Sequence, residues 1–311
     1  MNPSTFIILV NYNNHDDTLK CLESIELAGF GAMVVVVDNN STLPGVDEIK
    51  ARYPKTILIK NDENIGFGRA NNIGIDWALK NTNCEYVFIL NNDTTINRNT
   101  ISILEEALSI NENIAIAAPK IVMMDDPNLL WYGGGEINWK KCSATIPGYM
   151  GTSHCEEANS SRFVTFASGC AILIKRSILE KFGGFDKRFF MYVEDIELCI
   201  RIIKNKYHIA YKHEAVVSHK GQGSQRNSEK FISIEHPKNP NLSFFVYHLT
   251  KNRLLTISQH ASITEAIKFW TFYPFFLFAK SVQYSINGRI DAIKAISKGL
   301  FDAFKVFIKS P

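Results

Sequence analysis

Two short apolar segments of this 311-residue chain each lead to an aspartate, and this arrangement most limits the folds that the chain can adopt. Residues 34–37 lead into Asp38, and residues 88–90 lead through two asparagines into Asp93. Continuous apolar runs of this kind are typical of strands buried on both faces of a parallel sheet. Because ligands of open α/β sheets bind at the carboxyl ends of the strands, both carboxylates are expected to face one crevice.

Strand-like and helical patterns alternate over the first 120 residues. The predicted strands cover residues 5–10, 33–37, 56–59, 86–90 and 114–118, and the predicted helices cover residues 16–27, 46–52, 69–79 and 100–108. Strands that alternate with helices in this way form a mainly parallel sheet with helices on both faces. The chain is therefore expected to contain an α/β domain.

This alternation stops after residue 120. Residues 120–163 are rich in glycine and aromatic residues without a clear period, which predicts a loop or a short antiparallel hairpin over the active face. The remaining elements are predicted strands at residues 165–174, 208–212 and 215–219, and helices at 177–182, 194–205, 244–259, 264–286 and 291–309, with a loop at 221–241. We expect one domain over residues 1–240 and a helical tail over residues 241–311.

The tail is basic and aromatic. It carries nine Lys or Arg and three Asp or Glu, whereas residues 1–240 carry 25 basic and 28 acidic residues. The aromatic residues 269–279 are fewer than the roughly 20 that span a bilayer, and Pro274 is expected to kink them. With Lys268 and Lys280 on either side, this segment suits a helix in a membrane interface. The alternatives are packing on the domain or an oligomer contact, and no nucleic-acid partner is expected.

Cysteine usage and the N-terminal sequence predict the compartment. The six cysteines show no CxxC pair or other metal spacing, and Cys21, Cys84 and Cys199 lie in patterns that favour buried free thiols. The N-terminus lacks a basic segment, and the apolar residues 6–10 are too few for a signal peptide. We expect a cytoplasmic protein that is peripheral on the inner face of the cell membrane.

Polar residues follow the first two predicted strands. Asn11 and Tyr12 follow the first strand, and Asp38 and Asn40 follow the second. Groups of this kind at adjacent strand ends suit hydrogen bonds to a base and a ribose. Alternatively, they are turn formers and helix caps. In combination with Asp93 they favour a nucleotide site.

Residues 64–74 form a segment rich in glycine and asparagine between a predicted strand and a predicted helix. The segment differs from a dinucleotide fingerprint because Asn71 replaces the third glycine and the segment follows the third strand. Gly66 permits a close approach of the backbone to a ligand, and Arg69 could meet phosphate charge. Asn64 and Asn71 are further candidates for donor binding, although the glycines could simply serve a tight turn.

The segment Asn91-Asn-Asp93 is the candidate metal site. Asp93 offers hard oxygen ligands suited to Mg²⁺ or Mn²⁺ bridging a diphosphate. Asn91 is a second candidate ligand, and Asn92 is a candidate for donor binding. His219 ends a late predicted strand and precedes the polar residues 220–224. It is a candidate metal ligand or phosphate donor, although a lone histidine often serves structure alone.

Glu194 and Asp195 are adjacent carboxylates at the start of a predicted helix. Acidic residues there can simply stabilise the helix through its dipole. Alternatively, one of them deprotonates a hydroxyl group as a general base. The aromatic residues that precede them suit a sugar pocket and favour the base role.

Taken in order, these motifs resemble those of the family 2 glycosyltransferases, especially the bacterial rhamnosyltransferase-like branch. The resemblance covers residues 5–225 and is carried by Val10-Asn-Tyr-Asn13, Val37-Asp-Asn-Asn-Ser41, residues 64–72, Leu90-Asn-Asn-Asp93, Ser168-Gly-Cys-Ala171, residues 183–190, residues 194–201 and His219. It implies a GT-A fold and a metal-dependent, inverting transfer from a nucleotide-sugar such as dTDP-rhamnose or a UDP-hexose. The implied acceptor is a saccharide or a polyprenyl-linked saccharide, and the implied role is the synthesis of a bacterial surface polysaccharide such as O-antigen or capsule.

The resemblance also implies a role for each motif residue. Asp38 would bind the nucleoside and Asp93 the metal, with His219 assisting the metal or the diphosphate. Asp195 would be the catalytic base in preference to Glu194. The metal motif of the family often begins with an aspartate, where this chain has an asparagine, so the strength of metal binding stays open.

Two other functions are compatible with parts of the pattern. A sugar-phosphate nucleotidyltransferase also uses a nucleotide-binding α/β sheet, but it would normally carry a glycine-rich, basic loop after the first strand, and residues 11–17 contain no glycine. A non-catalytic protein that binds a nucleotide or a carbohydrate is the second alternative. The presence of both Asp93 and Asp195 favours an enzyme over this second alternative.

Overall fold

The computed structural model describes residues 4–29, 33–221 and 233–309, so most of the predicted loop at 221–241 lies outside the described residues. The strands are β1 (Thr5–Asn11), β2 (Met33–Asp38), β3 (Ile57–Lys60), β4 (Tyr86–Leu90), β5 (Thr94–Ile96), β6 (Ile114–Met123), β7 (Leu130–Tyr132), β8 (Glu136–Asn138), β9 (Ser143–Thr145), β10 (Arg162–Val164), β11 (Ala171–Lys175) and β12 (His208–His219). The helices are α1 (His15–Leu27), α2 (Val46–Arg52), α3 (Phe67–Asn81), α4 (Thr100–Ser109), α5 (Arg176–Phe182), α6 (Glu194–Lys204), α7 (Leu242–His260), α8 (Ile263–Ile286) and α9 (Ile290–Lys309).

A large sheet forms the centre of the described part, and its main path runs β10-β12-β6-β11-β4-β1-β2-β3. Strands β3, β2, β1 and β4 are parallel to one another, whereas β11 runs antiparallel between β4 and β6. The predicted α/β fold is confirmed. The parallel pairing brings the carboxyl ends of β1, β2 and β4 to one edge of the sheet.

The central strands form because their side chains are apolar on both faces. Ile7, Ile8 and Leu9 of β1 are fully buried, as are Val36 of β2 and Ile89 of β4. Full burial of one such side chain contributes about 1.5–3 kcal/mol. Asn11 and Asp38, which end β1 and β2, are paired in register. The apolar runs of β1 and β2 thus end in polar side chains that lie next to each other at one edge of the sheet.

Two predicted strands differ from the observed ones. The strand predicted at residues 165–174 begins only at Ala171, because the backbone N–H groups of Ala167 and Gly169 bond to side chains of α6 instead of a neighbouring strand. The segments 208–212 and 215–219 form one strand, β12, with a register shift between Lys212 and Val216. Residues 136–145 contain the short antiparallel hairpin β8-β9, in agreement with the prediction for that region.

The helical tail packs against the domain. Leu249 and Leu254 of α7 and Phe269 and Tyr273 of α8 belong to the same buried cluster as the central strands. Helix α8 is continuous through Pro274 and begins with a capping box. None of the helices in the described part combines the length and the apolar character that crossing a bilayer requires. The division of the chain at residue 240 stays a prediction.

Candidate active site

Asn11 and Asp38 form a rigid pair at the ends of β1 and β2. The Asn11 amide is fully buried and donates to Asp38 Oδ1 at 2.7 Å. Ser41 donates to both Asp38 oxygens, from its hydroxyl at 2.6 Å and from its backbone N–H at 3.1 Å. The carboxylate predicted to bind a nucleoside is therefore fixed in place. Tyr12 lies beside it with an exposed ring.

Asn39, which sequence reasoning passed over, connects β2 to the asparagine-rich segment. Its amide donates to Asn64 Oδ1 at 2.8 Å, and its carbonyl accepts from the backbone of Ile65 at 3.1 Å. The predicted ligand Asn40 is exposed instead, with a left-handed φ of 64°. The alternation of strand side chains was the only signal that could have distinguished these two neighbours.

The glycine-rich segment contacts a distant part of the backbone. Gly66 has a φ of 86°, and the N–H of Phe67 donates to the carbonyl of Phe190 at 2.9 Å. Arg69 is exposed on the first turn of α3. Asn71 is buried, and its amide donates to the carbonyl of Phe67 at 3.0 Å. This side chain therefore supports the first helical turn.

Asn72 is a second residue that the sequence did not single out. Its amide donates to the carbonyl of Phe185 at 2.7 Å, and its carbonyl accepts from the N–H of Phe185 at 2.8 Å. This reciprocal pair ties α3 to the segment that precedes α6. Its partner lies 113 residues further along the chain, so no local sequence pattern could have indicated it.

Asp93 and His219 lie together beyond the ends of β4 and β12. Strand β5 pairs with β12 so that Thr94 lies opposite His219, and His219 Nε2 lies 3.2 Å from Asp93 Oδ1. Both side chains are buried, and the ring of Trp131 packs edge-on against the imidazole at 4.7 Å. Burial lowers the pKa of His219, but the charges of Cys170 and Asp93 outweigh burial and raise this pKa well above its ordinary value.

Asn92 forms hydrogen bonds through its side chain, whereas Asn91 forms one through its backbone. The Asn92 amide donates to Thr18 Oγ1 at 2.8 Å and to Asn11 Oδ1 at 3.4 Å, so it supports the β1–α1 connection. Asn91 bonds through its backbone, where its N–H donates to the carbonyl of Cys170 at 2.8 Å. The hydrogen bonds from Asp38 through Asn11 to Asn92 connect the strand ends in one network.

The Asp93–His219 pair fits a divalent cation. Asp93 Oδ1 and His219 Nε2 lie 3.2 Å apart and both side chains are buried, so both could contact one ion. A carboxylate oxygen suits Mg²⁺ or Mn²⁺. Within the described ranges, no group of three or more His, Cys, Asp or Glu side chains is placed to hold a metal ion.

Glu194 and Asp195 have different surroundings at the start of α6. Asp195 is partly exposed and accepts from the backbone N–H of Gly169 at 3.1 Å and of Ile196 at 2.8 Å. Glu194 is 6% exposed, and its Oε2 has no hydrogen-bond partner among the described residues. Burial, together with the charge of Asp195, raises the pKa of Glu194 to about 8. Burial also raises the pKa of Asp195, but its two backbone donors oppose this shift.

Cys170 interacts both with the Asp93–His219 pair and with Asp195. Burial raises the pKa of the Cys170 thiol. His219 opposes this shift, and the charges of Asp93 and Asp195 add to it. Asp93, His219 and Asp195 thus surround one short segment, Ser168-Gly-Cys170, which directly precedes β11. The site brings together groups from both halves of the sheet.

Comparisons with known proteins show which family the chain belongs to. The family model described as "Glycosyl transferase family 2" matches residues 6–183. The chain is 27% identical over 298 residues to the low-salt glycan biosynthesis hexosyltransferase Agl10 of Haloferax volcanii, which covers 93% of this chain and 90% of that protein. It is 24% identical over 255 residues to the N-acetylglucosaminyl-diphospho-decaprenol L-rhamnosyltransferase of Mycobacterium tuberculosis, with 74% of this chain and 80% of that protein covered.

A solved structure is similar over nearly the whole chain. It is the mannosyltransferase PcManGT from Pyrobaculum calidifontis in complex with GDP-Man and Mn2+, with a TM-score of 0.52 and 16% identity, and the similarity covers 97% of this chain and 88% of that one. The predicted GT-A fold is confirmed. The family model covers more than half of the chain, so this protein belongs to glycosyl transferase family 2 and is a glycosyltransferase.

Proposed function

We propose that this glycosyltransferase moves a sugar from a nucleotide-sugar to an acceptor hydroxyl group in one inverting displacement. The observation that carries the proposal is the arrangement around Cys170, which combines the Asp93–His219 pair with the separate carboxylate of Asp195. Such a transfer needs positive charge at the leaving diphosphate and a base at the acceptor. The two sets of side chains supply these two functions.

The donor would lie along the ends of β1 and β2. Asp38, fixed by Asn11 and Ser41, would accept hydrogen bonds from the nucleoside at little cost in side-chain entropy. Tyr12 and Asn40 would contact the nucleoside from the exposed rim. The diphosphate would approach Gly66 and Arg69, where the N-terminus of α3 favours negative charge, with Asn64, Asn71 and Asn92 supporting these segments.

Asp93 and His219 would hold the divalent cation, Mg²⁺ or Mn²⁺, and Asn91 would lie beside it. When bound, the cation would neutralise the charge that develops on the departing nucleoside diphosphate. His219 must be neutral to act as a ligand, and its pKa is raised by Asp93 and Cys170 against the effect of burial. Cation binding is therefore expected to displace a proton from the imidazole.

Asp195 is the base in this proposal. Its two backbone N–H donors stabilise the carboxylate, whereas Glu194, with a pKa raised by burial to about 8, holds its proton at neutral pH. Asp195 would accept the proton of the acceptor hydroxyl group while that oxygen attacks the anomeric carbon. The bond to the diphosphate breaks on the opposite face, so the configuration at that carbon inverts.

Rhamnose, from dTDP-rhamnose, is the sugar that we propose first, because a rhamnosyltransferase is among the curated relatives. A UDP-hexose is the alternative donor, since another relative is a hexosyltransferase. The name of the mycobacterial relative specifies a diphospho-decaprenol acceptor. We therefore propose a polyprenyl-linked saccharide as the acceptor and a role in the assembly of a bacterial surface polysaccharide such as O-antigen.

A polyprenyl-linked acceptor requires the enzyme to reach a membrane, and the tail offers a suitable surface. Helix α8 exposes a line of large apolar side chains at Ile263, Ile267, Trp270, Phe275, Phe278, Val282 and Ile286. Lys268 of α8 and Lys294 of α9 are also exposed, while Glu265 and Asp291 of the tail are paired with Lys204 and Arg289. Apolar side chains with basic neighbours favour an anionic membrane surface, so we propose peripheral attachment through α8.

A donor panel tests the proposed reaction. Purified protein with Mn²⁺ and an N-acetylglucosaminyl-diphospho-polyprenol acceptor would be given dTDP-rhamnose, UDP-hexoses and GDP-mannose in turn. We expect release of nucleoside diphosphate that depends on the acceptor, and a product of inverted configuration by NMR. Release of pyrophosphate would instead indicate a nucleotidyltransferase, and donor binding without turnover would indicate a binding protein.

Two variants test the assignment of the residues. Asp195→Asn should lower kcat by about 10²–10⁴-fold, the usual contribution of a general base, while donor binding is retained. Asp93→Ala should remove the dependence of donor binding on the metal. Glu106 provides the control variant Glu106→Gln, because it is an exposed carboxylate beside Glu105, which bonds to Thr5 at the amino end of β1, away from the site. Near-normal turnover of Asp195→Asn would exclude it as the base.

A further inference from the structure

Two consecutive residues directly before the Glu194-Asp195 pair have an unusual backbone conformation. Tyr192 has a φ of 68° and Val193 a φ of 72°. Neither is glycine, and a β-branched residue such as valine rarely adopts the left-handed region. Such a conformation costs free energy and persists only where surrounding contacts hold it in place. It is found most often at functional sites. Val193 is the N-cap residue of α6, so this strained pair sets where Glu194 and Asp195 begin.

A single side chain of the tail holds this pair. Asn252 of α7 is fully buried, and its amide donates to the carbonyl of Met191 at 2.9 Å and to the carbonyl of Tyr192 at 2.8 Å. Both N–H groups of the amide are committed to the backbone immediately before Val193. The Oδ1 atom of Asn252 has no hydrogen-bond partner among the described residues. The side chain therefore serves these two carbonyl groups.

Aromatic contacts on the same face of α7 extend this attachment. The ring of Phe245 packs against Tyr192 at 5.3 Å, and the ring of His248 stacks on Phe190 at 5.3 Å. The positions 245, 248 and 252 are spaced by three and four residues, so they lie on one face of the helix. This face of α7 therefore contacts all three residues of the segment 190–192.

The held segment also reaches the donor side of the site. The carbonyl of Phe190 accepts from the N–H of Phe67, the first residue of α3. On the other side of Val193, Asp195 accepts from the N–H of Gly169. Movement of residues 190–193 would therefore change the direction of the base relative to both the donor segment and the Ser168-Gly-Cys170 segment.

We propose that Asn252 is a positioning residue for catalysis, which acts through the backbone of residues 191–193 to direct the Asp195 carboxylate. This inference rests on the proposed role of Asp195 as the base. It makes α7 a part of the catalytic unit, although α7 lies in the tail and outside the residues that the family model matches.

The test compares two buried asparagines of the same region. Asn252→Ala should lower kcat by about 10- to 100-fold, the effect expected when a reacting group is displaced by about 1 Å, with donor affinity unchanged by calorimetry. It should also shift the acidic limb of the pH profile of kcat. Asn239, which is buried and bonds to Ser233 and Asn241, gives the control Asn239→Ala. This control should lose thermal stability without a change in kcat or pH profile.

A double variant separates this inference from the proposed function. If Asn252 acts through Asp195, then Asn252→Ala should add little to the loss in kcat already caused by Asp195→Asn. Additive losses would overturn the positioning role, as would a kcat loss no greater than that of Asn239→Ala. Near-normal turnover of Asp195→Asn alone would instead refute the proposed base. Should Asn252→Ala not fold, Phe245→Leu, which loosens the same segment through Tyr192, should lower kcat in the same way.

Discussion

At the scale of single residues, Gly66 is a position that leaves no room for a side chain. Its φ is 86°, and an added Cβ would lie 2.0 Å from the carbonyl oxygen of Phe190, which is backbone and cannot turn away. Gly66→Ala should lower the free energy of unfolding by about 3 kcal/mol, because the left-handed backbone costs about 1–2 kcal/mol and the overlap adds about 1–3 kcal/mol. Urea unfolding followed by circular dichroism measures this change.

Gly288 is the matched control for this prediction. It has a similar φ of 68°, but an added Cβ would meet no atom within 4 Å. Gly288→Ala should therefore cost only the backbone contribution, about 1–2 kcal/mol. Equal losses in the two variants would show that the nearby Phe190 carbonyl adds nothing to the cost of a side chain at position 66.

Sequence reasoning identified the residues whose chemistry is visible in local motifs and missed those whose role depends on distant partners. Asp38 and Asp93 end apolar strands and were recognised for that reason. Asn72 and Asn252 bond to backbone carbonyls 113 and 60 or 61 residues away, and nothing in their own neighbourhood distinguishes them from surface asparagines. The roles predicted for the site residues stay predictions until the variants are measured.

At the scale of elements, α6 is attached to α7 through a buried ionic group. Glu197 of α6 is buried and bonds to Arg201 at 2.8 and 2.9 Å and to His260 of α7 at 2.9 Å. Removal of one partner of a buried ion pair typically costs about 3–5 kcal/mol. Because Arg201 is partly exposed, Glu197→Ala should lower the free energy of unfolding by about 3 kcal/mol, measured in urea at pH 7.

The pH dependence of this contribution follows from the pKa of Glu197. Burial raises this pKa, but His260 and Arg201 outweigh burial, and the pKa is lower than in the unfolded chain. The stabilisation is therefore complete above the unfolded pKa of about 4.3 and is lost as the pH falls through the folded value. The exposed pair of Glu48 and Arg52 has the same spacing, so Glu48→Ala should change stability by less than about 0.5 kcal/mol at any pH.

The helices and the parallel strands were predicted well, because the period of apolar residues indicates helices and short apolar runs indicate buried strands. The β4 strand was predicted with its exact bounds, and α2 likewise. Residues 165–170 were predicted as strand, but the backbone N–H groups of Ala167 and Gly169 bond to Cys199 and Asp195 of α6. A pattern of side-chain polarity carries no information about which partner a backbone N–H group finds.

At the scale of the whole molecule, the tail has two different faces. Side chains of α7 and α8 such as Leu254 and Tyr273 join the core of the domain, and Asn252 contacts the segment before the base. The opposite side of α8 is exposed and apolar. The sequence showed an aromatic, basic tail but not which side chains face the domain, because the apolar residues of α8 surround the helix on all sides.

The exposed face of α8 provides the last prediction. Phe275 and Phe278 are 74% and 70% exposed, and burial of each in a membrane interface would contribute about 1.5–3 kcal/mol. The double variant Phe275→Asp/Phe278→Asp should therefore weaken binding to phosphatidylglycerol vesicles by about a hundredfold or more in a flotation assay. Phe163 is similarly exposed on β10, and Phe163→Asp is the control that should bind as the parent does. Unchanged flotation of the double variant, together with a smaller oligomer by light scattering, would assign this face to a contact between copies of the chain.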